Sequence, residues 1–147
     1  MLICDEAVAA LDVSVQAQVI NLLMDIKADS GLTMIFISHD LGVIRHLCDR
    51  VAVMYLGRVV ELADTEELFS NPTHPYTRML LEGMPRISLT RRKFLPIKGE
   101  IPSPLSPPSG STFHPRCPTA TAHCRQIVPD LRECTPSHLH GCLSAAD

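Results

Sequence analysis

The chain has no tryptophan and only two tyrosines and four phenylalanines among its 147 residues. So few rings, with none interleaved among basic residues, leave little for nucleobases to stack on, and no nucleic-acid partner is expected. No apolar run approaches the roughly 20 residues that a membrane-spanning helix requires. The N-terminus lacks a basic stretch followed by an apolar segment and a cleavage site, so a cytoplasmic location is expected. Glycine is also scarce. None of the seven stands in a G-x-x-x-x-G-K-[ST] arrangement, the loop whose amides and lysine cradle nucleotide phosphates. Hydrophobic residues at 46% and charged residues at 20% place the chain among globular rather than disordered proteins.

What is present is unevenly distributed. Residues 1–85 carry five basic and twelve acidic side chains, net −7, whereas residues 86–147 carry eight and four, net +4. Nine of the twelve prolines follow residue 85. Composition therefore predicts a boundary near Pro85, dividing 1–85 from 86–147. Beyond it, Arg86, Arg91, Arg92, Lys93 and Lys98 form a basic run without acids. That run reads as a solvated connector, with only weak support for contact with anionic lipid or nucleic acid. Pro102, Pro104, Pro107 and Pro108 hold the next stretch extended. Of six cysteines, Cys4 and Cys48 read as small buried hydrophobes, while Cys117, Cys124, Cys134 and Cys142 crowd into the tail. Without a secretion signal, that cluster suggests metal more than a disulfide framework.

The first half alternates strand and helix patterns. Met1–Cys4 is an apolar run ending in Asp5 and Glu6, which suits a buried parallel strand. Val13, Ala17, Val19, Ile20, Leu23 and Ile26 recur at helical spacing; Asp12 or Ser14 can cap this helix and Gly31 can end it. Thr33–Ser38 is a second apolar strand, completing one right-handed βαβ unit. A short helix over Asp40–Leu47, a strand pair around Gly57, a capping box from Asp64 to Glu67 and a helix from Tyr76 to Met84 follow. Acids at the carboxyl end of a parallel strand sit where open α/β sheets bind ligands. Asp5 and Glu6 point to opposite sides of their strand, so one can hold a metal while the other faces a reacting water. The alternative is two solvated acids closing a strand. His39 ends the second strand 33 residues after Glu6, about one crossover, and so emerges at the same edge.

Asp-Glu after an apolar strand, Ala10-Leu11-Asp12 after a gap, and a strand ending Ile37-Ser38-His39-Asp40-Leu41 together resemble the second half of an ABC-type ATPase domain. Leu11–Val19, Val53–Arg58, Asn71–Thr77, Gly99–Pro104, Pro107–Gly110 and Phe113–Pro118 are similar to the ATPase subunits of oligopeptide and dipeptide importers. The resemblance covers essentially the whole chain. It implies an α/β fold, a partial P-loop NTPase parallel sheet with helices over 1–85, followed by an irregular Pro- and Cys-rich region over 86–147. It implies an ATP-binding, ATP-hydrolysing subunit of a peptide importer that uses Mg²⁺. By resemblance, Asp5 is the Walker B acid on the Mg²⁺ water shell and Glu6 the general base. His39 is the switch histidine that senses the γ-phosphate, and Asp12 the D-loop acid facing a partner subunit. Ala7 stands where the family usually has proline. The implied partners are a second ATPase subunit, transmembrane permease subunits and a solute-binding protein, with the chain peripheral on the cytoplasmic face of the membrane.

In that family the phosphate loop and the ABC signature precede the Asp-Glu strand, where this sequence has only Met1–Cys4. The expectation is therefore a C-terminal fragment, a truncated frame or a degenerate gene product, marginally folded and silent as an ATPase by itself. Related importers carry four tail cysteines suggestive of an iron–sulfur cluster. The resemblance places them at 111, 117, 124 and 142; position 111 is serine, and Cys134 is an extra thiol that can substitute. Four thiolates would suit iron–sulfur or zinc. The alternative to the importer reading is a non-catalytic, metal-bearing module that docks on or regulates a partner ATPase.

Overall fold

The computed structural model describes residues 1–84 and 99–144. Pro85 and the basic run from Arg86 to Lys98 lie outside the described residues. The chain divides into two compact units, Met1–Asp49 and Arg50–Asp147.

The first unit is the expected βαβ arrangement. β1 (Leu2–Asp5) and β2 (Met34–Ile37) pair in parallel, with Leu2 opposite Met34 and Asp5 opposite Ile37. Between them runs α1 (Val13–Ser30). Asp12 is its cap: the carboxylate accepts from the amides of Ser14 at 3.1 Å and Val15 at 3.0 Å, and from the Ser14 hydroxyl at 2.7 Å. Gly31 closes the helix in the left-handed region at φ 58°, its amide donating to the Lys27 carbonyl. α2 (Leu41–Leu47) is capped in the same way by Asp40, which accepts from Gly42 and Val43. Lys27 ties the two helix ends together through Asp49 at 2.6 Å.

Burial here differs from expectation. The strands were expected to be covered on both faces, yet Ile3, Ile35 and Ile37 are 58%, 46% and 47% exposed. On α1 only Ile20 is buried, and Val13 is 84% exposed. The periodicity correctly gives the helix, but a two-stranded sheet has too little surface to cover the apolar stripe that accompanies it.

The second unit is built on an antiparallel sheet in the order β3-β4-β6-β5. β3 (Arg50–Tyr55) and β4 (Arg58–Asp64) form a hairpin whose two-residue turn is Leu56-Gly57, both at positive φ. β3 alternates strictly, with Val51, Val53 and Tyr55 inward. α3 (Thr65–Ser70) follows directly, and α4 (Pro75–Glu82) begins one residue earlier than the spacing predicts because His74 caps it, accepting the Tyr76 amide at Nδ1. The expected capping box does not form: the Asp64 carboxylate lies 3.5 Å from Arg50, directly across the hairpin, rather than on the helix amides.

The tail is not wholly irregular. Phe113, 1% exposed, packs edge-on to Tyr55 at 5.2 Å between ring centroids and against Tyr76 at 5.4 Å. Residues from both sides of the composition boundary thus share one core. Farther along, β5 (Arg132–Thr135) and β6 (His138–His140) form a hairpin that extends the sheet at the free edge of β4. Neither strand has an apolar pattern that would have announced it. Among the described residues the parallel sheet expected of a P-loop domain is therefore the β1–β2 pair alone, and the larger sheet is antiparallel.

Candidate functional site

Two apolar strands in parallel deliver their carboxyl ends to one edge, and the chemistry-bearing residues of the first unit sit there. Asp5 is the last residue of β1. Glu6 follows it, its amide donating to the Ile37 carbonyl at 3.0 Å, so the ladder continues one residue past the strand. Glu6 then turns the chain at φ 50°, a left-handed conformation that a non-glycine residue adopts at a cost of roughly 1–3 kcal/mol. The turn aims its carboxylate at His39, which lies two residues beyond the end of β2. His39 Nδ1 is 3.1 Å from one Glu6 carboxylate oxygen and 3.0 Å from the other. The geometry therefore brings together the acid and the imidazole that the sequence separates by 33 residues.

The pair is open to solvent, with the His39 side chain 78% and the Glu6 side chain 42% exposed, so it contributes little to stability. Its effect is electrostatic. The hydrogen bond that His39 donates to the Glu6 carboxylate, reinforced by the carboxylate's charge, raises the His39 pKa above the usual histidine value. With Nδ1 engaged by Glu6, Nε2 is the ring nitrogen left for a ligand. Asp5 makes no hydrogen bond or ion pair among the described residues, so its exposed carboxylate is available to a hydrated cation. The donor set suits Mg²⁺, which keeps several waters and is commonly held through one or two carboxylates. Asp12 stands apart in role: its carboxylate is engaged as the α1 cap, and the Ser14 hydroxyl and the Val15 amide hold its pKa below the ordinary carboxylate range.

The tail cysteines do not assemble. All are free thiols. Cys117 Sγ is 3.4 Å from the Thr119 hydroxyl, Cys124 Sγ 3.4 Å from that of Thr121, and Cys142 Sγ 3.7 Å from that of Ser144. Cys134 is exposed on β5 and donates to the His138 carbonyl at 3.3 Å. Among the described residues no three His, Cys, Asp or Glu side chains come together as metal ligands. The thiols are satisfied by neighbouring hydroxyls and a backbone carbonyl, an arrangement that does not fit a four-thiolate cluster. The expectation of iron–sulfur or zinc, and of a metal-bearing docking module, finds no support here.

A second polar cluster was not visible in the sequence. Glu61 on β4 and His138 on β6 are both fully buried, with Nε2 2.7 Å from the carboxylate. The only signal was an acid at an inward position of the apolar run Val59–Leu62.

Comparison with known proteins bears on the chain as a whole. Residues 60–124 match the family described as oligopeptide/dipeptide transporter, C-terminal region. The chain is 49% identical over 145 residues to the oligopeptide transport ATP-binding protein AppF of Bacillus subtilis. It is 51% identical over 143 residues to the dipeptide transport ATP-binding protein DppF of Haemophilus influenzae. Each alignment takes in 97% of this chain but only 44% of the relative, so the chain spans less than half the length of the proteins it matches. No helix among the described residues is long and apolar enough to cross a membrane. Residues 60–124 thus carry the oligopeptide/dipeptide transporter C-terminal region, and over nearly its whole length the chain is similar to peptide-transport ATP-binding proteins.

Proposed function

We propose that this chain forms the hydrolytic half of an ATP site in the ATP-binding subunit of an ABC importer for oligopeptides or dipeptides. The observation that carries the reading is the Glu6–His39 contact at the carboxyl ends of two parallel strands, in a chain about half identical to peptide-transport ATP-binding proteins. Asp5 would hold the Mg²⁺ that accompanies ATP and neutralises phosphate charge when bound. Glu6 accepts the proton of the attacking water at its carboxylate. His39, fixed through Nδ1, keeps that carboxylate oriented and offers Nε2 towards the terminal phosphate. Phosphoryl transfer depends on such placement of charge far more than on covalent chemistry. Asp12, rigid as a helix cap, marks the surface that meets the second ATPase subunit, and permease and solute-binding subunits complete the importer at the cytoplasmic face of the membrane.

The phosphate-cradling loop absent from the sequence would come from residues that the longer relatives possess. The same residues would cover Ile3, Ile35 and Ile37, whose exposure is otherwise unexplained. A chimera joining the remaining part of the Bacillus protein to this chain tests the reading in cells lacking their own peptide-import ATPase. Restored peptide uptake, lost on Glu6→Gln, is the expected result. A stably expressed chimera that supports no uptake, or uptake indifferent to Glu6→Gln, would refute it.

A further inference from the structure

The buried contact of His138 Nε2 with Glu61 at 2.7 Å, with the Thr73 hydroxyl 3.3 Å from the same nitrogen, joins the tail hairpin to β4. β6 pairs with β4 over only two residues, Glu61 opposite His140 and Leu62 opposite Leu139, with one further bond from the Gly141 amide to the Val60 carbonyl at 2.8 Å. β5, on the far side of β6, is exposed along its whole length. A hairpin so placed gains little from apolar burial. On β6 the one fully buried side chain is His138.

The two partners are unequal in their need of each other. The Glu61 carboxylate is already held without the tail: it accepts from the Thr73 amide at 2.6 Å, the Thr73 hydroxyl at 2.8 Å and the His74 amide at 3.1 Å. These donors belong to the Asn71–Pro75 turn, which is fixed by α3 on one side and α4 on the other. Loss of His138 therefore leaves Glu61 with three donors rather than stranded, so the usual penalty for a deserted buried charge is largely avoided. His138 in turn has Nδ1 buried without a hydrogen-bond partner, 3.6 Å from the half-exposed Glu67 carboxylate. Its departure into water satisfies that nitrogen.

We propose that β5–β6 is a strap held over the edge of β4 by the Glu61–His138 contact, and that it opens and closes as a unit while the rest of the sheet stays folded. Opening uncovers the unpaired groups of Val60–Leu62, a strand edge competent for pairing. Local opening of this kind is expected where backbone bonds are few and apolar contacts sparse.

Residue-resolved amide hydrogen exchange on the full chain tests the proposal. In the wild type, the amides of residues 139–141 should exchange at a common rate at least tenfold faster than the paired amides of β3–β4. His138→Ala should accelerate the strap amides at least a further tenfold, leave the β3–β4 amides unchanged, and leave the Thr73 amide protected on Glu61. Strap amides that exchange only together with β3–β4 in the wild type would overturn the proposal. So would a His138→Ala chain that accelerates everywhere alike, shows no change, or fails to fold, because the contact would then belong to the common core.

Discussion

Glu6 combines an unfavourable backbone conformation with a side chain given wholly to His39, and the two facts are connected. At φ 50° the residue leaves the line of the strand, which is what brings its carboxylate onto Nδ1. The electrostatic consequence has a definite sign. Because Glu6 raises the His39 pKa, whatever the pair contributes is present below the ordinary histidine value and is lost as pH rises through the raised one. An NMR titration of the His39 ring should show a midpoint above about 6.5, returning towards that value in Glu6→Gln. In the second unit the sign is reversed. Burial lowers the His74 pKa to about 4, countered in part by Glu61, and the neutral ring accepts the Tyr76 amide. Between pH 6.5 and 4 the unfolded chain takes up a proton that folded His74 refuses, so stability should fall by roughly 3 kcal/mol in total. His74→Asn, which keeps a capping acceptor, should flatten that limb in urea unfolding followed against pH. Glu61 acts lower still. Burial pushes its pKa up, but the neighbouring Thr77 side chain, the Thr73 amide, His138 and the Thr73 hydroxyl overcome this and leave it below the usual glutamate value. Its stabilisation is therefore present above that usual value and lost as pH falls through the lowered one. Asp5, Glu6 and His39 were legible in the sequence because acids and a histidine closing parallel strands must share an edge. Glu61 and His138 were not: 77 residues separate them, and only the pairing of β6 on β4, which no pattern announces, brings them together.

At the scale of elements, local periodicity carried far. The helices over Val13–Ser30 and Leu41–Leu47, the strands beside them and the hairpin around Gly57 were all readable from spacing, caps and turn residues. Where the sequence misled, a competing contact explains it. Asp64 has the right place for a capping box, but Arg50 faces it across the hairpin and takes the carboxylate. The tail was illegible for a different reason: its order comes from isolated anchors such as Phe113 and Gly110 rather than from repeated spacing. Gly110 has φ 69°, and a Cβ there would lie 2.5 Å from the Cys124 carbonyl oxygen. Its neighbour Ser111 donates its amide to that same oxygen at 2.9 Å. Gly110→Ala should therefore destabilise the second unit by more than about 1 kcal/mol, measured by thermal or urea unfolding, because backbone rather than a flexible side chain must move. The β3–β4 turn offers the opposite test. Leu56 holds φ 46° at the first position of a two-residue hairpin loop, where asparagine is the favoured residue. Leu56→Asn should stabilise by about 1 kcal/mol in the same assay.

For the whole molecule, the distribution of apolar surface matters most. The second unit encloses a core of Val51, Val53, Tyr55, Leu68, Leu81 and Phe113, whereas the first leaves isoleucines on both of its strands and most of its long helix uncovered. Stability should therefore be unequal, with amides of residues 1–49 exchanging before the β3–β4 core. The chain aligns to 44% of its relatives' length, and the exposed faces lie in the unit that bears the Glu6–His39 pair. Under the proposed function, this pair activates water in the longer ATP-binding subunit. The most direct measurement is Mg²⁺-dependent ATP turnover by the purified chimera that joins the remaining part of the Bacillus relative to this chain, with nucleotide binding measured in parallel. Glu6→Gln should retain ATP binding and lower turnover by about two to four orders of magnitude. A Glu6→Gln chimera that binds ATP and turns it over at the unmodified rate would contradict it.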